Sequence, residues 1–194
     1  YMDGWWDCAA LDQFCYQLLR GRIDKQVKPT DPAFIMHFLK AYFLNAQSKK
    51  RAYIVGKEHY DTGNDLFSLM LDQRMNYSCG YWSNADNLDQ AQINKLDLVC
   101  RKLNLKPGMT VLEIGCGWGG FAKYAAENYG VSVHGITVSK EQMDYAKKSC
   151  EGLETTFELK DYRELNVKYD AIVSIGMFEH VGYKNYRNYM EVAR

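Results

Sequence analysis

The sequence predicts a doubly wound α/β fold with a mostly parallel sheet, preceded by a small helical region. Two observations carry this. From residue 110 onward, short apolar runs alternate with helix-like stretches, the pattern of strands buried on both faces and joined by crossover helices. The first run, Val111-Leu112-Glu113-Ile114, leads straight into Gly115-Cys116-Gly117-Trp118-Gly119-Gly120, a glycine-rich turn of the kind that opens a helix.

Taken in order, residues 8–21 predict a helix, because Leu11, Phe14, Cys15, Leu18 and Leu19 fall on one face. Residues 24–31 break it. Asp31-Pro32 is a cap followed by proline at the first helical position. A second helix follows, with Phe34, Ile35, Phe38, Leu39, Tyr42 and Phe43 on one stripe, and it runs out in the basic cluster Lys49-Lys50-Arg51. These helices are expected to pack on a neighbour; aromatics beside basic residues also suit a lipid surface. The join to the α/β part is expected near 52–56, which divides the chain into 1–52 and 53–194. Strands are predicted over 110–114, 131–136, 154–159 and 169–175, and helices over 119–128 and 139–150, with another starting near Tyr183.

Lys+Arg and Asp+Glu both number 24, so the net charge of zero gives no support to a nucleic-acid partner. No run approaches the roughly 18 apolar residues of a membrane span. The six cysteines are scattered without metal or disulfide spacing, which fits a reduced, cytoplasmic compartment and implies no metal site.

Gly115, Gly117 and Gly120 satisfy the G-x-G-x-x-G spacing of dinucleotide sites. That reading also wants an acid about 20 positions on for the ribose. The second predicted strand instead ends in Ile136-Thr137, and the acid is Glu113, two residues before the first glycine. Glu-x-Gly-x-Gly is the pattern of S-adenosylmethionine methyltransferases. Polar or glycine-rich segments follow the other strands: Thr137 to Gln142, Asp161-Tyr162-Arg163, and Gly176 to His180. All would converge at the carboxyl ends of the strands, where such sheets bind ligands. Ser139 reads equally well as a helix cap, and Cys116 as a residue used for its backbone.

The chain resembles the cyclopropane-fatty-acid synthases and related mycolic-acid methyltransferases. The resemblance rests on His59-Tyr60-Asp61-Thr62-Gly63-Asn64-Asp65-Leu66-Phe67, Met75-Asn76-Tyr77-Ser78-Cys79-Gly80-Tyr81-Trp82, the glycine loop, Thr137 to Gln142, and Met177-Phe178-Glu179-His180-Val181-Gly182. It implies a Rossmann-like class I methyltransferase fold with S-adenosylmethionine as cofactor. By position, Tyr77 and Ser78 would touch the cofactor. Glu113, Gly115, Cys116, Gly117, Trp118 and Gly119 would cradle its methionine end. Thr137, Val138, Ser139 and Gln142 would flank the ribose, and Tyr162 and Arg163 the adenine. In this family bicarbonate is the base, and Cys79 and Glu179 match two positions around it.

The implied reaction adds a methylene to a cis double bond of unsaturated phospholipid acyl chains at the membrane surface. Tyr77, Tyr81, Trp82 and Phe178 would offer π faces to a carbocation; Tyr81 and Trp82 read equally as core. A lipid methyltransferase without ring closure, or a silent cofactor- or lipid-binding module, fits the same motifs. The resemblance also implies that the chain lacks a C-terminal part carrying a His and a Tyr of the site. Only the first four strands are expected, with the fourth as an open edge. Alone, the chain is expected to be catalytically silent and prone to associate, a homodimer included. The expected location is cytoplasmic, peripheral to the membrane.

Overall fold

The computed structural model describes residues 4–5, 7–22, 30, 32–43, 45, 53 and 64–194. The chain divides into two compact units, Tyr1–Asn45 and Ala46–Arg194. The expected join near 52–56, the Asp31 cap, the Lys49-Lys50-Arg51 cluster and the motif residues His59 to Gly63 fall outside the described residues, Tyr53 excepted.

The first unit contains α1 (Leu11–Arg20) and α2 (Pro32–Phe43). The predicted stripes are present, but they are not buried. Leu11, Phe14, Leu18 and Leu19 of α1 and Phe34, Ile35, Phe38, Leu39, Tyr42 and Phe43 of α2 are all exposed. So short a unit has too little chain to cover two apolar faces.

In the second unit, α3 (Asn64–Met70) precedes the long α4 (Leu88–Lys102), β1 (Thr110–Ile114) and α5 (Gly120–Tyr129). Then come β2 (Ser132–Thr137), α6 (Lys140–Ser149), β3 (Thr155–Leu159) and a 3-10 turn over Tyr162–Glu164. The chain closes with β4 (Ala171–Val173), α7 (Phe178–Val181), a second 3-10 turn and α8 (Tyr186–Val192). The sheet order is β3-β2-β1-β4, and every pairing is parallel. Val111 stands opposite Val133 on one side and Ala171 on the other.

Side chains alternate along β1 as a sheet covered on both faces requires. Val111 joins Leu96 and Cys100 of α4, Phe121 and Ala125 of α5, and Phe157 of β3 in one core. Leu112 and Ile114 join Ile136, Tyr162, Val181 and Tyr189 in the other. β4 is shorter than predicted. Asp170 turns its carboxylate onto Thr110, taking both the amide and the hydroxyl at 2.8 Å, and Ser174 donates its hydroxyl to the Ile114 carbonyl at 2.9 Å. At the Asp170 end these side-chain bonds add to a backbone bond from the Asp170 amide to the Thr110 carbonyl (3.0 Å), and at the other end the Ser174 hydroxyl ties the chain to β1. Among the described residues no helix is long and apolar enough to cross a membrane.

Candidate functional site

A cavity of about 420 Å³ opens at the carboxyl ends of the strands. Its floor is the glycine loop. The amides of Gly115 and Cys116 both donate to the Ile136 carbonyl, at 2.9 and 3.0 Å, which closes the loop against β2. At Gly117 the backbone is left-handed (φ +53°), and a β-carbon built there would meet nothing within 4 Å, because it would point into open space. Gly120 is small for the opposite reason. Its β-carbon would lie 2.5 Å from the Arg74 carbonyl oxygen and 2.9 Å from Asn76 Oδ1, so only glycine lets α5 lie against the segment before Tyr77.

That segment is tied by Asp72, a buried carboxylate that accepts from the amides of Arg74 (3.1 Å) and Asn76 (2.7 Å) and from the Asn76 side chain (2.9 Å). Gln92 of α4 donates to the Ser78 carbonyl at 2.8 Å, and Lys95 Nζ donates to the Ser78 hydroxyl at 2.9 Å. Tyr77 and Ser78 are thus held against the cavity from two sides, and both line it together with Lys95.

Glu113 lies on the same wall, buried. Burial raises its carboxyl well above the usual range; the Ala122 amide and the charge of Lys95 act against this. Its Oε2 has no hydrogen-bond partner. Tyr162 Oη, also on the wall, is buried without one. Buried polar atoms are normally satisfied, so two orphans on one cavity call for a ligand with complementary groups. Burial likewise pushes the Cys116 thiol far up, which keeps it protonated and leaves its backbone as the useful part.

Of the other predicted residues, Trp118, Thr137, Val138, Gln142, Arg163 and Glu179 line the cavity. Trp118 donates its indole N–H to Asn64 Oδ1 at 2.7 Å and packs on Phe67, with ring centroids 4.7 Å apart. Thr137 donates to Gln142 Oε1 at 2.9 Å. Arg163 is held by both oxygens of Asp161, at 2.7 Å each. Glu179 sits in α7, past Gly176; a β-carbon at Gly176 would be 3.8 Å from the Tyr77 carbonyl and 3.9 Å from Glu179 Oε1.

Three predicted residues are not on the wall: Cys79, Gly119 and Ser139. Ser139 is a fully buried N-cap of α6, accepting from the Gln142 amide at 3.2 Å. Gly119 is the left-handed N-cap of α5. Cys79 is exposed, next in sequence to Ser78. Tyr81 and Trp82 are exposed as well, which corrects their reading as core. The residues not foreseen are Lys95, Gln92 and Asp72. The Asn87 cap is a sequence signal for the start of α4, but nothing in the pattern that follows singles out Gln92 or Lys95.

A family profile described as mycolic acid cyclopropane synthetase matches residues 47–194. The cyclopropane-fatty-acyl-phospholipid synthase of Escherichia coli K12 is 58% identical over 192 residues, 99% of this chain and 50% of that protein. Cyclopropane mycolic acid synthase 3 of Mycobacterium tuberculosis is 43% identical over 139 residues, 69% of this chain and 48% of its own length. A crystal structure of a mycolic acid cyclopropane synthase complexed with SAH and CTAB superposes with a TM-score of 0.70 at 39% identity, covering 73% of this chain and 51% of that one. The chain thus spans about half the length of the curated relatives it matches. The profile match takes in most of the chain, and the chain belongs to the mycolic acid cyclopropane synthetase family.

Proposed function

We propose that this domain binds S-adenosylmethionine in the cavity. We propose further that, in a chain of its relatives' length, it serves to transfer a methylene from that cofactor to the cis double bond of an unsaturated phospholipid acyl chain. The orphan carboxylate oxygen of Glu113 carries the reading, because an ammonium at the cofactor's methionine end would satisfy it. When bound, the cofactor supplies an electrophilic methyl group. Gly117 leaves space for close approach, Tyr162 offers a hydroxyl, and Tyr77 presents an aromatic face where a cation develops. Transfer of that methyl to the double bond would break its S–CH3 bond, release S-adenosylhomocysteine and leave a carbocation on the acyl chain; loss of a proton from the added methyl to the base would then close the ring. The base is proposed to be bicarbonate beside Cys79 and Glu179, with the Glu179 carboxylate adding negative charge.

The lipid has a route. Leu66, Leu69 and Met70 of α3 and Tyr77, Tyr81 and Trp82 of the following segment are exposed. Phe67 and Tyr77 bring the two elements together, with ring centroids 5.5 Å apart. An apolar surface beside the cavity suits an acyl chain entering from a membrane, and with α1 and α2 supports peripheral association at the cytoplasmic face.

Calorimetry with S-adenosylhomocysteine tests the binding step. The chain should bind it and Gly117→Val should not, since the branched side chain would fill the approach path; equal affinity in the two would refute the site. Ring formation is tested by expressing a chain of the relatives' length and analysing host phospholipids by mass spectrometry. A gain of one CH2 with loss of ozonolysis-sensitive double bonds is expected. The same gain with the double bond retained would identify a methyltransferase that does not close the ring. Glu179→Gln should lower turnover with little effect on thermal stability.

A further inference from the structure

Lys95 reaches the cavity from the middle of α4. An ammonium has three N–H donors, and the one hydrogen bond it makes here goes to the Ser78 hydroxyl oxygen at 2.9 Å. That bond uses Ser78 Oγ as an acceptor, so its own O–H remains to donate into the cavity it lines. The other lysine and arginine on the wall are engaged by acids: Arg163 by both oxygens of Asp161, Lys160 by Glu158. Lys95 is therefore the basic side chain on this wall whose hydrogen-bonded partner is neutral. Glu113 is its counterpart of opposite sign, buried and with Oε2 unpartnered. The wall thus offers donors at Lys95 and Ser78 and an acceptor at Glu113; the opposite charges of Lys95 and Glu113 attract, but no hydrogen bond joins them.

A zwitterionic α-amino-acid head has the complementary pair of groups. We propose that Lys95, together with the Ser78 hydroxyl, receives the carboxylate of the cofactor's methionine end, while Glu113 receives its ammonium. This rests on the reading that S-adenosylmethionine binds in the cavity. Charge-assisted bonds from an ammonium to a carboxylate in a partly buried site are the strong kind, so a measurable share of affinity should depend on this one contact.

The test pairs two ligands with three forms of the chain, by calorimetry. The ligands are S-adenosylhomocysteine and its decarboxylated analogue, which keeps the amine and the nucleoside. The forms are the unaltered chain, Lys95→Met, which keeps length and apolar stem, and Ser78→Ala, which leaves every charge in place. Lys95→Met should weaken S-adenosylhomocysteine roughly tenfold to hundredfold. It should leave the decarboxylated analogue within about twofold. Ser78→Ala should show the same pattern with a smaller loss, and stands in if Lys95→Met does not fold by circular dichroism. Equal weakening of both ligands would mean that Lys95 only shapes the loop, and would overturn the proposal. Unchanged affinity of both variants for S-adenosylhomocysteine would overturn it too, with the cofactor site left standing. Failure of the unaltered chain to bind S-adenosylhomocysteine would remove the cofactor reading itself, and the proposal with it.

Discussion

Glu113 is held in the middle of the sheet at a cost to the ligand-free fold. One carboxylate oxygen meets the Ala122 amide and the other meets nothing. Because burial raises its pKa, the folded chain keeps this proton to higher pH than the unfolded chain does. Above the ordinary value of 4.5 the unfolded state therefore binds fewer protons, and stability falls as pH rises toward the folded value. The slope for one proton is at most about 1.4 kcal/mol per pH unit. Glu113→Gln should flatten this limb and raise the ligand-free thermal midpoint at neutral pH by a few degrees, about 1 kcal/mol. The same change should weaken S-adenosylhomocysteine about tenfold or more, since a charged acceptor is lost. Thermal melts across pH, with and without ligand, check both halves; a midpoint that drops together with affinity would mean that the carboxylate stabilises the empty fold.

At the scale of elements, the site is a glycine loop and a tied segment brought to the same cavity. Gly120 is where they touch. Gly120→Ala should cost about 1–3 kcal/mol through overpacking against Arg74 and Asn76, and should lower cofactor affinity by displacing Tyr77 and Ser78. A scanning melt and a binding titration read the two effects; unaltered stability would show that the segment yields. The strands and the loop are legible in the sequence because they are short, apolar and punctuated by glycine. α4 is harder to read, since its inward face sets Gln92 and Lys95 among Ala91, Leu96 and Cys100, which interrupts the apolar stripe. Asp72 gives no sequence signal, because what matters is which amides it meets once the chain turns. Ser139 reads correctly as a cap, and the other residues of its loop reach the cavity through backbone direction that composition does not encode.

At the scale of the molecule, the apolar surface of the first unit is the main unspent feature. Phe38, Tyr42 and Phe43 form a continuous aromatic run on α2, with Phe38 and Tyr42 stacked at 6.4 Å and Tyr42 edge-on to Phe43 at 5.2 Å. Burying one such side chain is worth about 1.5–3 kcal/mol. The chain should co-sediment with vesicles of unsaturated phospholipid, and Phe38→Glu or Phe43→Glu should weaken this about tenfold or more. Retention equal to the unaltered chain would exclude α2 as the contact. The same faces, with the outer edge of β4, should make the chain self-associate in the absence of lipid, visible by size-exclusion chromatography as a species larger than a monomer. A sharp monomer peak would show that these surfaces are inert towards each other.

Trp118 gives the cavity an optical signature. Trp5 and Trp82 are 89% and 56% exposed, while Trp118 is 2% exposed, walled by Phe67 and bonded to Asn64. Blue-edge emission among the described tryptophans therefore comes from the residue that lines the cavity. A ligand entering that cavity should change that emission without any label. Occupancy of the cavity can therefore be followed through this one residue's fluorescence as ligand is titrated in.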